Sequence, residues 1–156
     1  MVSCAGGMRR IGCAILILGG LTLSACSNDD ATLVVGLLNP GGVEVSLARD
    51  VQPIFDNSCA LAGCHAGSPP ESSLNLESGR AFDPTVGIVG VPSLQLSSMP
   101  RVTPGDPALS YLFHKVEGTQ IDIGGFGERM PTGAPQLSDG ARRTIRRWIE
   151  QGALNN

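Results

Sequence analysis

The chain predicts an all-α domain of about three helices joined by long irregular loops. Two observations carry that expectation. Three stretches combine apolar residues at helical spacing with recognisable start and stop residues. The connections between them, 66–105 and 119–137, are rich in glycine and proline, which read as turns and loops. A short N-terminal β-hairpin is also possible, with Thr32–Leu38 and Val43–Val45 pairing across Asn39-Pro40-Gly41-Gly42.

The first helix is expected to begin at Val51 with Asp50 as its N-cap, and Pro53 is tolerated in the first turn. Val51, Ile54 and Phe55 share one face, and the helix runs into Cys59. The second has Asp106 as N-cap, Pro107 at its first position and Gly118 as its stop. Its apolar stripe is Leu109, Leu112, Phe113 and Val116, at the spacing i, i+3, i+4, i+7. His114 falls opposite that stripe and is expected to face solvent. The third runs from Ser138 to near Gly152. Ala141, Ile145, Trp148 and Ile149 lie on one face, and Arg142, Arg143, Arg146, Arg147 and Glu150 lie on the other. That arginine row reads as a solvated face, with Arg146 and Glu150 paired one turn apart.

The N-terminal residues read as a targeting segment. Arg9 and Arg10 precede an apolar run, Ile11–Leu23, of 13 residues, too short to span a bilayer comfortably. Met8 directly precedes the arginines and is an alternative start to Met1. Leu23-Ser24-Ala25-Cys26 resembles a bacterial lipobox. The resemblance implies a signal peptide over 1–25, cleavage before Cys26, and acylation of Cys26, with several acyl chains making a stable anchor. Residues 26–44 then form a lipidated tether or the small hairpin, and 45–153 the domain. The expected location is the bacterial cell envelope, lipid-anchored at the outer membrane or on the periplasmic side.

Processing would remove Cys4 and Cys13 and consume Cys26, leaving two of the five cysteines, Cys59 and Cys64, in the mature domain. In an oxidising compartment such a pair is expected to be a disulfide or a cofactor attachment. Losing Arg9 and Arg10 leaves nine basic against 14 acidic side chains, which gives no footing for nucleic-acid binding.

Cys59-Ala60-Leu61-Ala62-Gly63-Cys64-His65 is the most informative stretch. Two cysteines with a histidine directly after the second point to c-type haem attachment, in which thiols join the porphyrin vinyl groups and the imidazole ligates iron. Four residues separate these cysteines, where two is usual. A buried flat porphyrin would also give the long loops something to pack on, in a chain with only six aromatic residues. The opposite axial position calls for a soft donor. Two methionines survive processing, Met99 and Met130, and both precede a proline that biases them to extended backbone. The glycines of Gly124-Gly125-Phe126-Gly127 would let backbone approach a flat ring closely.

Taken in order, Val51-Gln52-Pro53-Ile54-Phe55, Cys59…Cys64-His65, Pro104-Gly105-Asp106-Pro107 with Ser110-Tyr111-Leu112, Arg129-Met130-Pro131, Leu137-Ser138 and Trp148-Ile149 with Gly152-Ala153 resemble a class I cytochrome c domain. It is similar to the lipoprotein-anchored cytochrome-like domains of bacteria. The resemblance implies one covalent haem c, attached through Cys59 and Cys64, with His65 as proximal and Met130 as distal iron ligand. It implies first and last helices crossing near the haem edge, with Phe55 and Trp148 as the aromatic contact. The function implied is electron transfer with redox partner proteins, without catalytic residues or a small-molecule substrate. Two alternatives follow from the same residues. One is a haem-free structural or interaction lipoprotein with a Cys59–Cys64 disulfide. The other is a sensor or peroxidase-like haem protein in which Met130 leaves the iron open.

Overall fold

The computed structural model describes residues 42–87 and 90–156. The signal peptide, Cys26 and the first strand of the possible hairpin lie outside them. Val43–Val45 is irregular, and among the described residues there are no strands, only two isolated bridges, Ala62 with Ala66 and Pro92 with Pro100. Among the described residues four α-helices carry the fold: α1 (Gln52–Ser58), α2 (Phe82–Thr85), α3 (Tyr111–Glu117) and α4 (Asp139–Glu150). No described helix is long and apolar enough to cross a membrane.

The first helical segment starts one turn earlier than its sequence suggests. A wide π-helical turn, Leu47–Val51, leads directly into α1. Its cap is Ser46, whose Oγ accepts from the Arg49 amide at 3.2 Å. Asp50 does not cap Val51; its carboxylate accepts from the Ser46 amide at 2.8 Å, closing a reciprocal box. The widening has a cause in Pro53. A proline ring crowds the carbonyl four residues back and offers no N–H, and bonds reaching five residues back, such as Gln52 N–H to Leu47 O, relieve the crowding.

The remaining free amides of this turn meet the C-terminus. Leu47 N–H donates to Asn156 Oδ1 at 2.9 Å and Ala48 N–H to Asn156 O at 2.9 Å. Ser46 Oγ also donates to Asn156 O, at 2.7 Å. Ser46→Ala therefore removes both a cap acceptor and a long-range donor. It is expected to cost about 1 kcal/mol, read as a lower urea midpoint with an unchanged slope.

The second expected helix is split. Asp106 caps only a 3₁₀ turn, Pro107–Leu109, accepting from the Ala108 and Leu109 amides. Ser110 is extended and fully buried, with its hydroxyl on Asp106 O. The first two amides of α3 donate to Pro100 O and Arg101 O, a tertiary pairing that resets the helix phase. Leu112 and Val116 are buried as the stripe predicts, but Leu109 is exposed, and Tyr111 and Lys115 are buried instead. Gly118, left-handed at φ 85°, ends the helix as expected.

The last helix matches its reading closely. Ser138 Oγ accepts from Ala141 N–H, and Ile145, Trp148 and Ile149 are fully buried. They join Val51, Phe55 and Val102 in one core, where α4 packs against α3 and the Leu47–Val51 turn. The arginine row is only partly a solvated face. Arg146 pairs with Glu150 at 2.8 Å, but Arg142 reaches Glu117 of α3 and the Leu137 carbonyl, and Arg147 donates to Val43 O.

Candidate functional site

The site is built where α1 ends. Cys59 terminates the helix, its amide on Phe55 O, and the chain reverses at once. The four residues between the cysteines fold into a tight turn, with Cys64 N–H on Leu61 O at 2.9 Å. Gly63 occupies the third turn position at φ 80°, the left-handed geometry that glycine enters without penalty. Beyond the turn, His65 N–H reaches back to Cys59 O at 3.1 Å.

All four residues assigned to haem, Cys59, Cys64, His65 and Met130, line one open groove of about 810 Å³. Ile54 and Pro53 of α1, Leu137 and Ala141 form much of its apolar wall. Cys59, His65 and Met130 also border a second, narrow cavity of about 80 Å³, walled by Phe55, Leu74, Leu76, Leu112 and Val116. These three side chains thus stand where the two spaces meet. Met130 is positioned by α3, its amide donating to Lys115 O at 2.8 Å. Met99 borders neither space.

The imidazole of His65 is oriented. Nδ1 lies 3.2 Å from both Glu71 O and Leu74 O. Carbonyls only accept, so Nδ1 carries the proton and Nε2 keeps its lone pair, as a metal-binding histidine requires. Burial pushes its pKa below the ordinary value against the pull of those carbonyls, and the Arg101 charge adds to the lowering. That shift favours the neutral ring. Burial, with a smaller push from Cys64, raises Cys59 to about 11, so it is a thiol rather than a thiolate. The two sulfurs are not bonded to each other.

Two cations border the narrow cavity. Arg101 and Lys115 are each 7% exposed, and neither has a carboxylate within ion-pair distance among the described residues. Nor do any three His, Cys, Asp or Glu side chains gather there as a metal cluster. The donor set fits haem: two thiols, one imidazole with a free Nε2, one thioether, apolar walls, and cations suited to carboxylate substituents.

One sequence expectation is corrected here. His114 faces solvent only in part; it is half-buried, with Nδ1 on Thr119 Oγ1 at 2.8 Å and Nε2 on Ala108 O at 2.9 Å. Both ring nitrogens are engaged because the break at Ser110 folds the Pro107–Leu109 turn back toward α3. Among the glycines before Met130, Gly125 lies against the Tyr111 ring. A Cβ on Gly125 would sit 2.6 Å from the Tyr111 hydroxyl and 2.8 Å from Gln120 O, so close approach is needed against that phenol. Arg101, Lys115 and Tyr111 escaped the sequence reading because nothing local marks an isolated cation or phenol as buried.

Compared with known proteins, the chain matches no family model, no curated protein and no solved structure.

Proposed function

We propose that the domain is a membrane-anchored, monohaem c-type cytochrome that carries electrons in the bacterial envelope. The observation that carries this reading is the orientation of His65. Its Nδ1–H is held by two carbonyls, and the ring borders both cavities alongside the Cys59 sulfur and the Met130 thioether. In this reading Cys59 and Cys64 would form the two thioethers, and His65 Nε2 and the Met130 thioether would ligate the iron. Haem, when bound, supplies the one-electron chemistry.

The chain's own contribution is binding and environment. Apolar walls from α1, α3 and the loops exclude water, and Arg101 and Lys115 offset negative charge on the ligand's substituents. The tight turn at Gly63 keeps both sulfurs on the groove wall. No side chain needs to accept or release a substrate proton, so the domain acts as a carrier for redox partner proteins and not as an enzyme. The Cys26 anchor would hold it at the membrane.

The test is production of the full chain with a cytochrome c maturation apparatus, followed by haem staining on a denaturing gel. A red band that survives denaturation is expected. A colourless product with Cys59 and Cys64 joined as a disulfide would instead identify a structural or interaction lipoprotein. Met130→Ala should remove the methionine-to-iron charge-transfer band of the oxidised protein and lower its reduction potential, because the thioether favours the ferrous state. Met99→Ala should leave both unchanged; the opposite pattern transfers the distal role to Met99.

A further inference from the structure

The turn that follows the attachment loop is built around two side chains. Glu71–Ser73 is a short 3₁₀ turn in which Ser72 (φ 55°, ψ 26°) and Ser73 (φ 54°) are both left-handed. Two consecutive L-residues rarely hold that conformation without a restraint. The restraint is visible. Arg101 Nη2 donates to Ser72 O at 2.7 Å, and Nη1 donates to Ser73 O at 3.3 Å and to Pro84 O at 2.7 Å. The outer carbonyls of the same turn, Glu71 O and Leu74 O, accept from His65 Nδ1. The inner carbonyls therefore face the guanidinium and the outer ones face the imidazole.

A buried guanidinium bonded only to carbonyls is a rigid planar fork, and its geometry suits simultaneous capture of neighbouring acceptors. Lysine, whose three donors all sit on one nitrogen, lacks the fork that reaches Ser72 O, Ser73 O and Pro84 O together. We propose that Arg101 is the positioning residue for His65. By clasping the left-handed Ser72–Ser73 turn and tying it to α2, it keeps the Glu71 and Leu74 carbonyls on Nδ1–H and so presents Nε2 to the cavity. The inference deepens the proposed function and rests on it for the use made of Nε2; the orientation itself stands on the hydrogen bonds.

The measurement is solvent exchange of the His65 Nδ1–H by ¹⁵N NMR on the full chain produced with the maturation apparatus, in the reduced, diamagnetic state if haem is present. Arg101→Gln should accelerate that exchange at least tenfold. The Trp148 indole N–H, bonded to Leu154 O at 2.9 Å, is the control for global opening and should change less than twofold. Arg101→Lys should fall between wild type and Arg101→Gln, and it decides the matter if the glutamine variant does not fold. Exchange at His65 within twofold of wild type, or equal acceleration at His65 and Trp148, overturns the inference. A haem-free wild-type product overturns the proposed function alone, because the exchange comparison is then made on that product.

Discussion

Cys59→Ser and Cys64→Ser are each expected to leave haem joined through a single thioether, and the double variant is expected to carry none after denaturation. The pyridine haemochrome spectrum reads this directly. Each lost thioether restores one conjugated vinyl group and moves the band to longer wavelength, and the double variant should release all of its colour into acidified organic solvent.

The two single variants should differ in stability. Cys59 is buried at the end of α1 among apolar neighbours, so a hydroxyl there introduces a polar group that finds no ready partner, at a cost of about 1–3 kcal/mol. Cys64 is half-buried on the turn at Gly63, and its substitution should cost far less. If colour persists through denaturation in the double variant, the sulfurs are not the attachment points. Equal stability losses in the two single variants would contradict the burial difference.

Trp148→Ala is expected to produce the largest loss of stability in the chain, about 3–5 kcal/mol. The side chain is fully buried in the core shared by α4, the Leu47–Val51 turn and Phe55. An indole buries about 200 Å², which at about 25 cal/mol per Å² corresponds to about 5 kcal/mol as a ceiling. Its Nε1–H also satisfies Leu154 O, so the C-terminal strap that reaches Asn156 and caps the first helical turn loosens with it. Small domains have only about 5–15 kcal/mol of net stability, so this one change should bring the midpoint of unfolding close to working temperature. Trp148→Phe keeps most of the ring and loses the hydrogen bond, and should fall at about 1–3 kcal/mol. Chemical denaturation followed by far-UV circular dichroism separates the two. A loss below about 1 kcal/mol for the alanine variant would show that the core tolerates a cavity there.

Some of the fold was legible because its determinants are local. The bounds of α4 follow from Ser138 and Gly152, and its buried face from the 3.6-residue period at Ala141, Ile145, Trp148 and Ile149. The end of α1 at Cys59 and the left-handed stop at Gly118 were legible for the same reason. The start of the first helix was not, because Asn156, 109 residues beyond Leu47, supplies the acceptors for its free amides. Nor was the break at Ser110, which depends on pairing between the first amides of α3 and the carbonyls of Pro100 and Arg101.

The same division runs through the candidate site. Covalent order alone placed two cysteines and a histidine at the end of an amphipathic helix and left two methionines as rivals for the opposite side. Tertiary structure decided that Met130, not Met99, borders the groove with them, and that His65 turns Nδ1 toward carbonyls six and nine residues along the chain. It also buried Arg101 behind that turn. The physical reason is common to each case. A side chain's type and its near neighbours are written in the chain, whereas the direction of a hydrogen bond and the burial of a charge depend on distant backbone that only folding brings near.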